Sequence, residues 1–151
     1  MIEQEQRERV VMVARSFIGT PFHDCGSIKG AGVDCATFLA LVYSEAGLIP
    51  QLKLPAYSPQ WFLHHSEELY LGIVSTHAHE IAGPPAMGDV VLFKLKDYQG
   101  RPLGRCYSHG AIVIAWPDAI IHAHKASKGV IVSRSHDDDL RGAEQKFFSW
   151  W

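Results

Sequence analysis

Gly32-Val33-Asp34-Cys35-Ala36-Thr37-Phe38-Leu39-Ala40-Leu41-Val42 runs from a glycine-loosened loop straight into an apolar helix, with a cysteine at the first helical position. Asp34 is a good N-cap, because a carboxylate can accept from the unpaired N–H groups of a first turn. Cys35 then stands where the helix macrodipole is positive, which favours thiolate over thiol. A sulfur so placed is poised to attack a carbonyl, and adjacent backbone N–H groups can hold the oxyanion that forms. The same residue would also serve as a small core residue under a helix start, since cysteine is often buried. The rest of the chain has to decide between the two.

Upstream, Glu3 to Ile18 reads as an amphipathic helix: Val10, Val13, Ala14, Phe17 and Ile18 recur at spacings of three and four, and Gly19-Thr20-Pro21 ends it. Residues 22–33 form a loop carrying Phe22, His23, Asp24 and Cys25, and its glycines at 26, 30 and 32 allow the backbone to approach closely and wall a cleft. The helix that starts at Cys35 runs to about Ala46, with Leu39, Val42, Tyr43 and Ala46 on one face and Gly47 as its stop. Ser58-Pro59 then reads as the cap and first residue of a third helix reaching Tyr70, with Trp61, His64 and His65 on it.

From Pro84 the character changes. Gly88-Asp89 is a turn and Val90 to Phe93 a short buried strand; Gln99 to Arg105 is a polar loop. His109 to Trp116 alternates as a strand, Pro117-Asp118 turns, Ala119 to His124 runs back, and Gly129 to Arg134 is a further strand. The run Asp137-Asp138-Asp139 reads as a solvated turn. The aromatic end Phe147-Phe148-Ser149-Trp150-Trp151 either completes the core or covers a partner-docking patch. Helices first and strands second imply an α+β fold, with an antiparallel sheet packed on N-terminal helices.

A cysteine nucleophile needs a base to take its proton and a third group to orient that base. His109 opens its strand in Tyr107-Ser108-His109-Gly110-Ala111, where the glycine leaves space beside the imidazole. His122, thirteen residues on, falls on the neighbouring antiparallel strand, within reach of the same face. His124 shares that face, so periodicity does not choose between them. A two-residue turn at Trp116-Pro117 sets His124 opposite His109, and a four-residue loop sets His122 there.

Composition narrows the classes further. A chain of 151 residues with 47% hydrophobic and 20% charged residues is expected to form one globular domain with a sizeable core. A net charge of −2 provides no basic footprint for nucleic acid. Three cysteines do not make a stapled secreted scaffold. The charged stretch from Met1 to Arg9 lacks the apolar core of a signal peptide, and no apolar run is long enough for membrane insertion. The expectation is a chain made in the cytoplasm that needs some other carrier to act outside it.

The blocks Gly19-Thr20-Pro21-Phe22, Gly32-Val33-Asp34-Cys35, Met87 to Phe93, Ser108-His109-Gly110-Ala111-Ile112-Val113 and Ile121-His122-Ala123 stand in the order of the NlpC-type papain-like cysteine peptidases of bacterial cell walls, which this chain resembles over roughly residues 10–135. The loop Phe22-His23-Asp24-Cys25-Gly26 and the segment Tyr57-Ser58-Pro59-Gln60-Trp61 are more similar to the phage and prophage branch. The resemblance implies a papain-like fold over residues 1–151 and hydrolysis of peptidoglycan stem peptides, commonly at the γ-D-glutamyl to diamino-acid bond. It implies Cys35 as nucleophile, His109 as base and His122 as the third polar residue, in preference to His124. The branch implies a virion tail as location and phage tail proteins as partners; no cofactor and no metal are implied.

Two positions depart from the family pattern. Ser-Gly usually follows the Asp-Cys pair, and here Ala36-Thr37 does. An aromatic residue often touches the site from about a dozen positions upstream; here the loop offers Phe22, His23 and Asp24, of which Asp24 is the polar candidate for substrate contact, alongside Asp34 and Ser108. Two other readings use the same residues: a tail component serving assembly, with its chemistry secondary or lost, and an amidase or acyltransferase acting on another amide. A zinc site built from Cys35, His109 and His122, or from the pairs His64/His65 and His77/His79, lacks a CxxC or HExxH frame. Cys25 and Cys106 read as a loop thiol and a structural residue.

Overall fold

The computed structural model describes residues 2–50, 74–96, 99, 101 and 107–151. The expected third helix with Trp61, His64 and His65, and Cys106, lie outside them.

Helix α1 (Glu3–Ser16) buries Val10, Val11, Val13 and Ala14, and Phe17 follows them into the core. Ile18, expected on the same stripe, is instead exposed, because the helix has already ended. The loop after α1 contains a two-strand hairpin that composition did not signal, β1 (Ser27–Ile28) with β2 (Gly32–Val33). It folds back so tightly that a Cβ on Gly32 would run into the His23 ring. Helix α2 (Cys35–Glu45) follows at once, burying Phe38, Leu39, Val42 and Tyr43.

Strands β3 (His79–Ile81), β4 (Val90–Lys94), β5 (His109–Ala115), β6 (Ala119–His124), β7 (Gly129–Ser133) and β8 (Glu144–Ser149) form one antiparallel sheet in the order β3-β8-β4-β5-β6-β7. This is the α+β architecture expected from the sequence. The sheet is apolar on both faces, as alternation within nearly continuous hydrophobic strands requires. Val90, Leu92, Ile112, Ile121, Ala123, Val130 and Phe148 pack against the helices. Val91, Phe93, Ala111, Val113 and Ile120 pack on the other side with Leu140 and Ala143.

The aromatic end is part of this architecture and not a separate patch. Phe147 and Phe148 lie in β8, which threads between β3 and β4, with Phe148 in register with both Glu80 and Val90. Trp150 stacks on Tyr43 of α2 at 3.8 Å between ring centroids, and the Arg7 guanidinium lies 4.1 Å over the Trp151 ring.

Candidate active site

The start of α2 is built by Asp34. One carboxylate oxygen accepts from the N–H groups of Ala36 (3.0 Å) and Thr37 (2.9 Å), and the other accepts from Cys25 N–H at 2.8 Å. Thr37 returns the bond through its hydroxyl oxygen to Asp34 N–H and donates to the Gly26 carbonyl. The Ala36-Thr37 departure thus completes a reciprocal cap. With both oxygens on backbone donors and only 3% exposure, Asp34 positions the start of the helix and the loop before it.

This cap sets the Cys35 sulfur against the head of β5. Its S–H donates to the Ser108 carbonyl at 3.6 Å, and the Gly110 N–H points at the same sulfur. The β5–β6 register ends at Ile112↔Ile121, and the sulfur takes the backbone groups on either side of His109 beyond that point. Ser108 is buried and meets the sulfur through its carbonyl; Gly110 leaves the room that allows the approach.

His109, His122 and His124 form a cluster, with ring centroids 5.0 Å apart for 109–122 and 122–124, and 6.1 Å for 109–124. Neither turn expected from the sequence connects their strands. Three residues, Trp116 to Asp118, separate Ala115 from Ala119, and a register shift follows between Val113 and Ala115. Counted along the ladder, His124 stands opposite His109. The ring bond nevertheless goes diagonally: His109 Nε2 lies 2.7 Å from His122 Nδ1, and His122 Nε2 lies 2.7 Å from Ser133 Oγ. His124 is engaged elsewhere, with Ser127 Oγ at 2.7 Å and Asp139 Oδ1 at 2.9 Å.

The electrostatics differ from the expectation of a resting thiolate. Burial pushes the Cys35 thiol up to about 12, with the Asp34 charge adding to the rise. The N–H groups of Cys35, Gly110 and Ala36 pull it down but do not outweigh desolvation. Burial likewise lowers His109 to about 4 and His122 to about 2, helped in each case by the positive charge of His124. His124 itself is raised, chiefly by its hydrogen bond to Asp139. Burial therefore favours the neutral thiol at Cys35 and neutral imidazoles at His109 and His122. The helix dipole lowers the cost of the thiolate without making it the ground state.

Asp24 is exposed on the loop before the site and pairs with Lys125 Nζ at 3.6 Å, tying that loop to the end of β6. The run expected to be a solvated turn is a 3-10 helix, Asp138–Leu140, whose Asp139 turns in to His124. Sequence reasoning missed Asp139, Ser127 and Ser133. Only Ser133 carried a signal: alternation along Gly129 to Ser133 puts a hydroxyl on the same sheet face as His122. Among the described residues, no group of three or more His, Cys, Asp or Glu side chains is arranged to hold a metal ion. None of the described helices is long and apolar enough to cross a membrane.

The fold that carries these side chains is similar to that of solved NlpC/p60 domains. The NlpC/p60 domain of the peptidoglycan hydrolase SagA superposes with a TM-score of 0.60 over 93% of this chain and 96% of that domain, at 19% identity. An NlpC/p60 family protein from Bacillus cereus gives 0.60 at 19% identity, covering 93% of this chain and 39% of that one. A protein similar to a lipoprotein of the same family, from Staphylococcus aureus, gives 0.61 at 17% identity, covering 96% and 42%. The chain thus spans nearly all of the SagA domain but about two-fifths of the other two proteins. No family model matches the sequence, and no curated protein matches it.

Proposed function

We propose that this chain, folded over residues 1–151 as one domain, is a cysteine peptidase that hydrolyses peptide bonds of peptidoglycan stem peptides, with the γ-D-glutamyl to diamino-acid bond as target. The observation that carries the reading is the Cys35 sulfur seated between the peptide groups flanking His109, while His109 is bonded to His122. The NlpC/p60 fold supports the substrate class.

In the mechanism, substrate binding turns the Cys35 S–H from the Ser108 carbonyl to His109, which takes the proton as the sulfur attacks the scissile carbonyl. The Cys35 N–H at the start of α2 helps hold the oxyanion, the next two N–H groups being bonded to Asp34. His109 gives its proton to the leaving amine, and the acyl group stays on Cys35. It then takes a proton from water, whose oxygen attacks the thioester and restores the thiol. His122 orients the His109 ring and disperses the imidazolium charge.

The resemblance of the Phe22 to Gly26 loop and the Tyr57 to Trp61 segment to the phage and prophage branch supports a virion tail acting on the cell wall as the location, with phage tail proteins as partners. The test is digestion of purified muropeptides read by product mass. The wild type cleaves them, and Cys35→Ala with an unchanged circular dichroism spectrum does not. Equal cleavage by both proteins would end the proposal.

A further inference from the structure

We infer that Ser133 is a positioning residue for this site: by fixing which nitrogen of His122 carries the proton, it fixes His109 as a base toward Cys35. The inference rests on the function proposed above and extends it by a residue that touches neither the sulfur nor His109.

The argument is a count of protons. A serine hydroxyl has one hydrogen to give and lone pairs with which to accept. Ser133 Oγ lies 3.2 Å from the Arg134 carbonyl oxygen, which can only accept, so the hydroxyl proton is directed there. Toward His122, 2.7 Å away, the hydroxyl then accepts, and His122 Nε2 must be the protonated nitrogen. A neutral imidazole protonated at Nε2 is bare at Nδ1. That bare nitrogen accepts from His109 Nε2–H across 2.7 Å. His109 is left with a bare Nδ1, the state of a base. Reversing the first bond reverses each later one: His122 would donate from Nδ1, and His109 would carry a hydrogen on Nδ1 with nothing to accept the thiol proton. Burial keeps both rings neutral, so the count holds near neutral pH.

The test compares wild type, Ser133→Ala and Ser133→Thr. Thr keeps the hydroxyl and suits a strand. Nitrogen-15 NMR of histidine-labelled protein at pH 7 reads each tautomer directly, and the wild type should show His109 and His122 both protonated at Nε2. Ser133→Ala should let His122 redistribute between tautomers, and Ser133→Thr should restore it, with both proteins folded at pH 7 by circular dichroism. Alkylation of Cys35 by iodoacetamide, followed by mass on its peptide, and kcat on muropeptides should each fall about tenfold in Ser133→Ala, as the loss of one hydrogen bond allows, and return to within about twofold in Ser133→Thr. A wild-type His122 protonated at Nδ1 overturns the inference. So does a Ser133→Ala protein with wild-type tautomers and alkylation rate. A wild type with the expected tautomers and the Ser133-dependent alkylation that leaves muropeptides uncut overturns the proposed peptidase and leaves the relay standing.

Discussion

His122 spends both ring nitrogens on neighbours while buried to 1% exposure, and that arrangement makes the fold sensitive to acid. A histidine whose folded pKa lies below its unfolded value of about 6.5 binds more protons when unfolded, so its contribution is lost as the pH drops below about 6.5. The loss continues to about 4 for His109 and to about 2 for His122. His124 acts in the opposite sense: raised by Asp139, it contributes fully below the unfolded value and loses that contribution as the pH rises through its folded one. Urea midpoints should therefore fall between pH 7 and pH 4.5 in wild type and fall less in His122→Asn; parallel curves would contradict this. Cys35 gives a second prediction at the same scale. Because burial holds it as a thiol, its alkylation by iodoacetamide should keep rising above about pH 8, whereas a plateau reached by pH 6 would indicate a resting ion pair. Residue types and their order singled out Cys35, His109 and His122 in the sequence, and the structure brings the two histidine rings into contact. The protonation states were not, because desolvation depends on what the fold places around each group. Asp139 was illegible because its approach to His124 is made by a 3-10 turn with no periodic signature.

At the scale of elements, the beginning of α2 depends on a few bonds. Asp34→Ala removes the acceptor for Ala36, Thr37 and Cys25 N–H groups together. It should cost about 1–2 kcal/mol of stability, the upper range for loss of a helix cap, read as a lowered denaturant midpoint. It should also slow alkylation of Cys35 more than alkylation of the exposed Cys25, since the cap aims only the former sulfur. The long periodic elements α1, α2, β5 and β6 were readable within a residue or two, because apolar spacing carries them. β1 and β2 were not, being two residues each and defined by pairing. The β5–β6 register was also hidden: one extra residue beside a three-residue turn reassigns which histidines face one another.

Across the whole molecule, Arg7 joins parts that are distant in sequence. Its guanidinium donates to Asp89 Oδ1 at 2.9 Å and to the Met87 carbonyl at 2.7 Å, and lies over Trp151. Asp89 is 1% exposed, so Arg7→Met would leave a buried carboxylate uncompensated and should cost about 3–5 kcal/mol, measurable by urea unfolding. If Arg7→Met lowered stability by no more than a surface substitution, Asp89 would have to be satisfied by Ala86 N–H alone. None of this network was visible in the sequence, where Arg7 looked like one charge among many on a helix surface.

The placement of β8 bears on the order of assembly. Glu144–Ser149 is an inner strand of the sheet, inserted between His79–Ile81 and Val90–Lys94, although some fifty residues separate it from β4 in the chain. A nascent polypeptide stalled before Glu144 would present Val90–Lys94 as a bare apolar edge, open to pairing with any neighbouring strand, and would leave His79–Ile81 with nothing to dock on. For this molecule the hazard of misassociation is set by how long the ribosome takes to deliver that one late strand.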